Sequence, residues 1–206
     1  MKVLTTKDIL NLFYVPGQVF AARVDFKKSH IALFLGVLLL GLSKATESLR
    51  VLLINSVTEK SFPLLSTVDL TTLSGKLTFL LIKGVIGASN SYIFGGIIFW
   101  ILLRLAGISP GKLMDVARLC VIASIPLSLF SFTDSFLSLM FPTLQANELL
   151  VLLCGLLILY GYYIYFKSIK VTYNASGFRF YIFVVALPVV FGILVYRLLD
   201  TLGVAI

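Results

Sequence analysis

Residues 84–126 read GVIGASNSYIFGGIIFWILLRLAGISPGKLMDVARLCVIASIP. An apolar segment studded with small side chains runs into a short basic turn, and a second apolar segment with an internal proline follows. An α-helix needs about 20 residues to cross a bilayer core, and the stretch reads as a hairpin of two such helices. In the first, Gly87, Ser91 and Gly95 recur at four-residue spacing and form one smooth stripe, with Gly84 and Ala88 beside it. Small residues so spaced let helix backbones approach closely, which is how helices associate in lipid. Ser89, Asn90 and Ser91 put polar groups at membrane depth, so a polar path is the alternative to packing. In the second, Pro126 removes a backbone hydrogen bond and kinks the helix. Ser124, Ser128, Ser131, Ser135 and Ser138 alternate four and three residues apart and form a hydroxyl seam. That seam suits interhelical packing, or a groove lined by water or lipid headgroups. Asp134 is the acid nearest to it.

Composition supports a lipid environment for the whole chain. Of 206 residues, 59% are hydrophobic and 13% charged, against about 25% charged in soluble domains. Mean hydropathy is +1.05. The net charge of +8 has no compact basic and aromatic patch of the kind a nucleic-acid groove needs, so no nucleic acid is expected. It fits Lys and Arg gathered beside membrane helices on the cytoplasmic side. Cys120 and Cys154 both fall in apolar segments, where cysteine acts as a small hydrophobe. The first long apolar run begins only at Ile31, so no cleavable signal peptide is expected.

Working outward, the pattern predicts an all-α polytopic membrane helix bundle of about five spans: 31–54, 77–105, 116–140, 148–166 and 178–199. Residues 1–29 stay outside the membrane core as an interfacial N-terminal segment. Thr6 caps a short helix there, with Ile9, Leu12 and Phe13 on one face, and a second helix starts at Pro16 with Val19, Phe20 and Val24 inward. Such helices either lie on the bilayer or cap the bundle. In the upper part of the first span Lys44, Glu47 and Arg50 stack on one face, as a solvated ion-paired stripe or a vestibule. Residues 55–76 form the longest loop. Pro110 is placed to open the third span. Tyr160, Tyr162, Tyr163 and Tyr165, followed by Lys167 and Lys170, read as an aromatic belt with a basic anchor. Asn174-Ala175-Ser176 matches a glycosylation sequon, but its basic neighbours place it inside.

With the N-terminus inside, inner segments hold eleven of the 17 basic residues. The expected orientation is N-terminus cytoplasmic and C-terminus outside, in a prokaryotic cytoplasmic membrane. His30 is the only histidine, which excludes a multi-histidine metal cluster and leaves no histidine triad elsewhere. No phosphate-binding loop follows a strand, and the intramembrane segments carry almost no carboxylates. No catalytic residue, metal or cofactor is expected.

Several features taken in order resemble the Ypt-interacting-protein (Yip) domain family of small five-span membrane proteins with a cytosolic N-terminus. These are Tyr14-Val15-Pro16-Gly17-Gln18-Val19-Phe20 before the first span, the glycine-rich second span and the turn Gly107-Ile108-Ser109-Pro110-Gly111. The third span with Pro126 and a proline-bearing last helix, here Pro188, follow. The resemblance covers most of residues 10–200. It implies a relation to adaptors that bind prenylated Rab GTPases, although the chain looks more like the short prokaryotic members, without the long cytosolic region or the acidic aromatic motif. Two functions fit. One is a non-enzymatic scaffold or adaptor that binds other membrane proteins, a second copy of itself among them, through Gly87, Ser91, Gly95 and the serine seam. The other is a small transporter, channel or lipid-handling subunit that uses Asn90, the seam and the kinks at Pro126 and Pro188.

Overall fold

A computed structural model describes residues 1–21, 23–54, 72–141, 148–175, 177–190 and 194. Among these the chain is helical, and its one β feature is an isolated bridge between Lys2 and Val24.

The N-terminal segment is a small closed unit carrying α1 (Thr6–Asn11) and α2 (Pro16–Ala21). The cap of α1 is Thr5 rather than Thr6. Its backbone N–H donates to Asp8 Oδ2 at 2.9 Å, and its hydroxyl accepts from the Asp8 N–H at 3.4 Å. This reciprocal capping box satisfies donors a helix start leaves open. Lys2 pairs with Asp8 at 2.5 Å. The Lys2 N–H donates to the Arg23 carbonyl and the Asp25 N–H to the Lys2 carbonyl, both at 2.8 Å. Ile9, Leu12, Val19, Phe20 and Val24 are buried. Helix α2 lies along α8 (Glu148–Thr172), and Tyr160 of α8 donates to the Phe13 carbonyl at 2.8 Å. The apolar faces are thus turned onto the bundle, one of the two placements open from the sequence.

Among the described residues three helices are long and apolar enough to cross a membrane: His30–Arg50 within α3 (His30–Ile54), Leu73–Leu105, and α8. The second comprises α4 (Leu73–Asn90), a π turn at Ser91–Gly95 and α5 (Gly96–Leu105). It starts four residues before the expected 77, because Thr72 caps it by accepting from the Gly75 N–H at 3.1 Å. The expected span 116–140 is two helices, α6 (Leu113–Ala123) and α7 (Ile125–Met140), bent by 46° at Ser124. Counted as one broken span it is a fourth. Pro126 sits at the first turn of α7 and causes the break: it has no N–H to donate backwards. Pro110 does not open α6; Gly111 at φ +72° holds a left-handed turn after it, and the helix begins at Leu113. Helix α8 runs six residues past the expected 166.

The last expected span, 178–199, starts as α9 (Phe178–Phe180), widens into a π turn at Tyr181–Ala186 and continues to Val190. The described part of this helix, Phe178–Val190, is shorter than a membrane span; 191–193 and 195–199 lie outside the described residues, as do 55–71, 142–147 and Ser176 of the sequon.

Glycines set the helix contacts. Gly41 of α3 and Gly84 of α4 face each other, and a Cβ on either would stand 3.2 Å from the other's carbonyl oxygen. Gly36 lets α3 meet α6: a Cβ there would lie 2.8 Å from the Val121 carbonyl oxygen. Gly96 rests on Ala117, and Gly161 of α8 on Leu127 of α7. Helix α6 is central, with Val116, Leu119, Ile122 and Ala123 fully enclosed.

Candidate functional site

Three irregular stretches of helix converge on one cavity of about 1030 Å³. The first is the π turn Ser91–Gly95, which contributes Ser91, Phe94 and Gly95, with Asn90 just before it. The second is the break between α6 and α7, which contributes Cys120, Val121, Ser124 and Leu127. The third is the helix Phe178–Val190, which leaves its own π turn and presents Pro188 and Val189. Leu40 of α3, Phe99 of α5 and one face of α8 complete the wall. Two of these irregularities have a local cause. Gly95-Gly96 and Pro126 weaken regular helical pairing where they stand, and π turns are frequent at functional sites.

Gly95 faces the void: a Cβ there would meet nothing within 4 Å. Across from it the Ser124 hydroxyl donates to the Val121 carbonyl at 2.9 Å, and its N–H donates to the Cys120 carbonyl at 3.0 Å. The broken helix end is therefore satisfied from within. Toward the end of the bundle where the N-terminal unit sits, an aromatic floor closes the cavity. Phe99 and Tyr165 meet edge to face at 5.3 Å, Tyr165 and Phe166 at 5.4 Å, and Tyr162 stacks on Phe166 at 6.5 Å. At the rim Phe94, Leu159 and Val189 are each more than half exposed. Among the described residues no carboxylate, imidazole, ammonium or guanidinium lines the cavity. Among the described residues no group of three His, Cys, Asp or Glu side chains is placed to hold a metal ion. What the cavity offers is apolar contact plus a few hydroxyls and the Asn90 amide.

The residues singled out from sequence divide. Asn90, Ser91, Gly95 and Ser124 line the cavity. Gly87 does not; it packs on the Lys44 side chain of α3, where a Cβ would stand 2.6 Å from Lys44 Cβ. Its stripe with Ser91 and Gly95 is divided between two environments, the contact with α3 and the cavity wall. Pro126 is buried beside the break. Ser128 and Ser135 are buried and Ser131 half-buried along α7, which packs on α3 and α8, and none of them lines the cavity. The charge stripe of α3 also divides: Lys44 pairs with Glu47 at 2.7 Å, whereas Arg50 reaches Asp134 of α7 at 2.9 Å. Phe99, Tyr162, Tyr165 and Phe166 were not identifiable as a cavity floor; belt tyrosines and floor tyrosines look alike until the helix faces are known.

Against known proteins, no family model, no curated protein and no solved structure matches the chain. Fold and composition define its class, a helical protein with several helices long and apolar enough to span a membrane.

Proposed function

We propose that this is a five-span membrane protein, N-terminus cytoplasmic and C-terminus outside, that handles lipid by taking an apolar chain sideways from the bilayer into the cavity. The observation that carries this reading is the convergence of a π turn, a proline break and the Pro188–Val189 stretch beyond a second π turn on one cavity of about 1030 Å³. Ligand pockets run to about 1,000 Å³. In membrane proteins, irregular helix at depth is tolerated where it is buried or lines a cavity. Apolar walls suit a hydrocarbon chain, and Asn90, Ser91 and Ser124 suit one polar group on it. Native mass spectrometry of the protein in mild detergent tests this. The expected result is a retained lipid, with retention falling about tenfold in Gly95→Phe, a loss of about 1.4 kcal/mol. Equal retention by both proteins would overturn it.

A scaffold or adaptor role of Yip-domain type is the second reading. Helix α8 favours it: Gly155 meets nothing within 4 Å and stands among exposed Leu152, Leu156 and Leu159. Small residues on an open apolar face let another helix approach closely. Gly155→Leu should abolish co-purification of a membrane partner without changing the unfolding midpoint, and unchanged co-purification counts against this role.

A further inference from the structure

The charge of the chain is gathered at one end of the bundle. Gly17 lies against Lys167, with 3.7 Å between a built Cβ and Lys167 Cε, which joins the N-terminal unit to the end of α8. Gly107 lies against Arg179, with 3.9 Å from a built Cβ to Nη1, which joins the turn after α5 to α9. Residues 1–29, 104–118 and 167–179 therefore share one end. They hold eleven basic side chains against Asp8, Asp25 and Asp115, which leaves +8, the whole net charge. The rest of the chain holds six basic and six acidic residues and is neutral.

Little of this charge is compensated internally. Lys2 pairs with Asp8 and Arg118 with Asp115. Among the described residues the other nine cations have no carboxylate partner. Two of them sit on aromatic rings instead: Arg104 lies 3.9 Å from the Trp100 ring centroid, and Lys170 4.8 Å from that of Tyr181. Arg23, Lys27, Lys28 and Lys112 are exposed. The cluster begins where α5 and α8 leave their apolar stretches, at the depth where Trp and Tyr mark the headgroup layer.

We propose that this end is a recognition surface for anionic lipid headgroups, assembled from three chain segments. Cations at the membrane boundary without internal counterions take them from lipid phosphates, and juxtamembrane basic clusters are drawn to anionic leaflets. This surface does not rest on the cavity reading.

The test uses the full chain in nanodiscs of phosphatidylcholine alone or with phosphatidylglycerol, read by thermal unfolding midpoint. The expected result is a higher midpoint with phosphatidylglycerol, erased by high salt. The variant Arg23→Gln/Lys27→Gln/Lys28→Gln/Lys112→Gln should lose most of that rise while keeping its midpoint in phosphatidylcholine, which shows that it folds. Lys76→Gln, outside the three segments, should keep the rise. Equal midpoints in the two lipids would overturn the assignment, as would a full rise in the quadruple variant or a lost rise in Lys76→Gln. An acidic protein held at this end without any lipid response would overturn it too.

Discussion

Gly41 and Gly84 face each other backbone to backbone where α3 crosses α4, and a Cβ on either would stand 3.2 Å from the other's carbonyl oxygen. Contacts of this kind are graded through the bundle, and the grading predicts stability. A Cβ at Gly36 would lie 2.8 Å from the Val121 carbonyl oxygen, and one at Gly161 would lie 2.8 Å from Leu127 Cα. Neither neighbour can move without moving a helix. Gly36→Ala and Gly161→Ala should each cost about 1–3 kcal/mol by overpacking. Gly41→Ala, at 3.2 Å, should cost less. Gly95→Ala and Gly155→Ala meet nothing within 4 Å and should be neutral or slightly stabilising, since alanine favours helix. Thermal unfolding in detergent gives the ranking, and a Gly95→Ala loss as large as that of Gly36→Ala would contradict the packing.

The ion pair between Arg50 and Asp134 closes the other end of the same helix layer, joining α3 to α7 at 2.9 Å. Both side chains are about a third exposed, so the coupling should be modest, about 1 kcal/mol at most. Arg50→Asp and Asp134→Arg should each destabilise, and the double exchange should recover part of the loss. A double-mutant cycle on unfolding midpoints measures the coupling, and strict additivity would show that the pair contributes nothing.

Much of the architecture was legible. Helical spacing placed Ile9, Leu12 and Phe13 on one face and Val19, Phe20 and Val24 inward; all are buried except Phe13, which is half-buried. Pro126 announced a break, and the small residues announced close helix contacts. What was not legible was the partner of each small residue. Gly36, Gly41 and Gly161 stand alone in apolar runs, so no sequence stripe marks them, although each sets a helix contact. The stripe Gly87, Ser91, Gly95 reads as one surface, but Gly87 packs on Lys44 while Ser91 and Gly95 line the cavity. The cavity is a product of tertiary convergence: its walls come from segments as far apart as Leu40 and Val189, and its aromatic floor reads as an ordinary membrane belt.

The N-terminal unit should loosen in acid. Burial alone would raise the Asp8 carboxyl, but the Lys2 ion pair and the Thr5 hydrogen bonds outweigh it and hold its pKa below the ordinary value of 3.8. A carboxyl depressed on folding contributes stability that is present above its unfolded pKa and lost as pH falls through its folded one. Hydrogen exchange at 2–25 should therefore slow as pH rises through about 4, after correction for intrinsic rates. Asp8→Asn should abolish that dependence and weaken the α1 cap by about 1 kcal/mol. A wild-type pH profile persisting in Asp8→Asn would assign the effect to another group.

Trp100 is the single tryptophan and reports on the depth of the basic end. Its ring lies under the Arg104 guanidinium, and its Nε1–H donates to the Gly111 carbonyl at 3.1 Å, which ties α5 to the turn that follows it. A tryptophan held this way at a helix end sits in the headgroup layer, its apolar body in lipid and its N–H out of it. Lipids brominated high on the acyl chain should quench its fluorescence more strongly than lipids brominated near the chain terminus. Arg104→Ala removes a cation–π contact of about 0.5–1 kcal/mol for an exposed site. That variant should shift the emission while leaving the order of quenching unchanged, because the bond to Gly111 still fixes the ring. Stronger quenching from the chain terminus would place this end of α5 deep in the bilayer and remove the basic cluster from the headgroups.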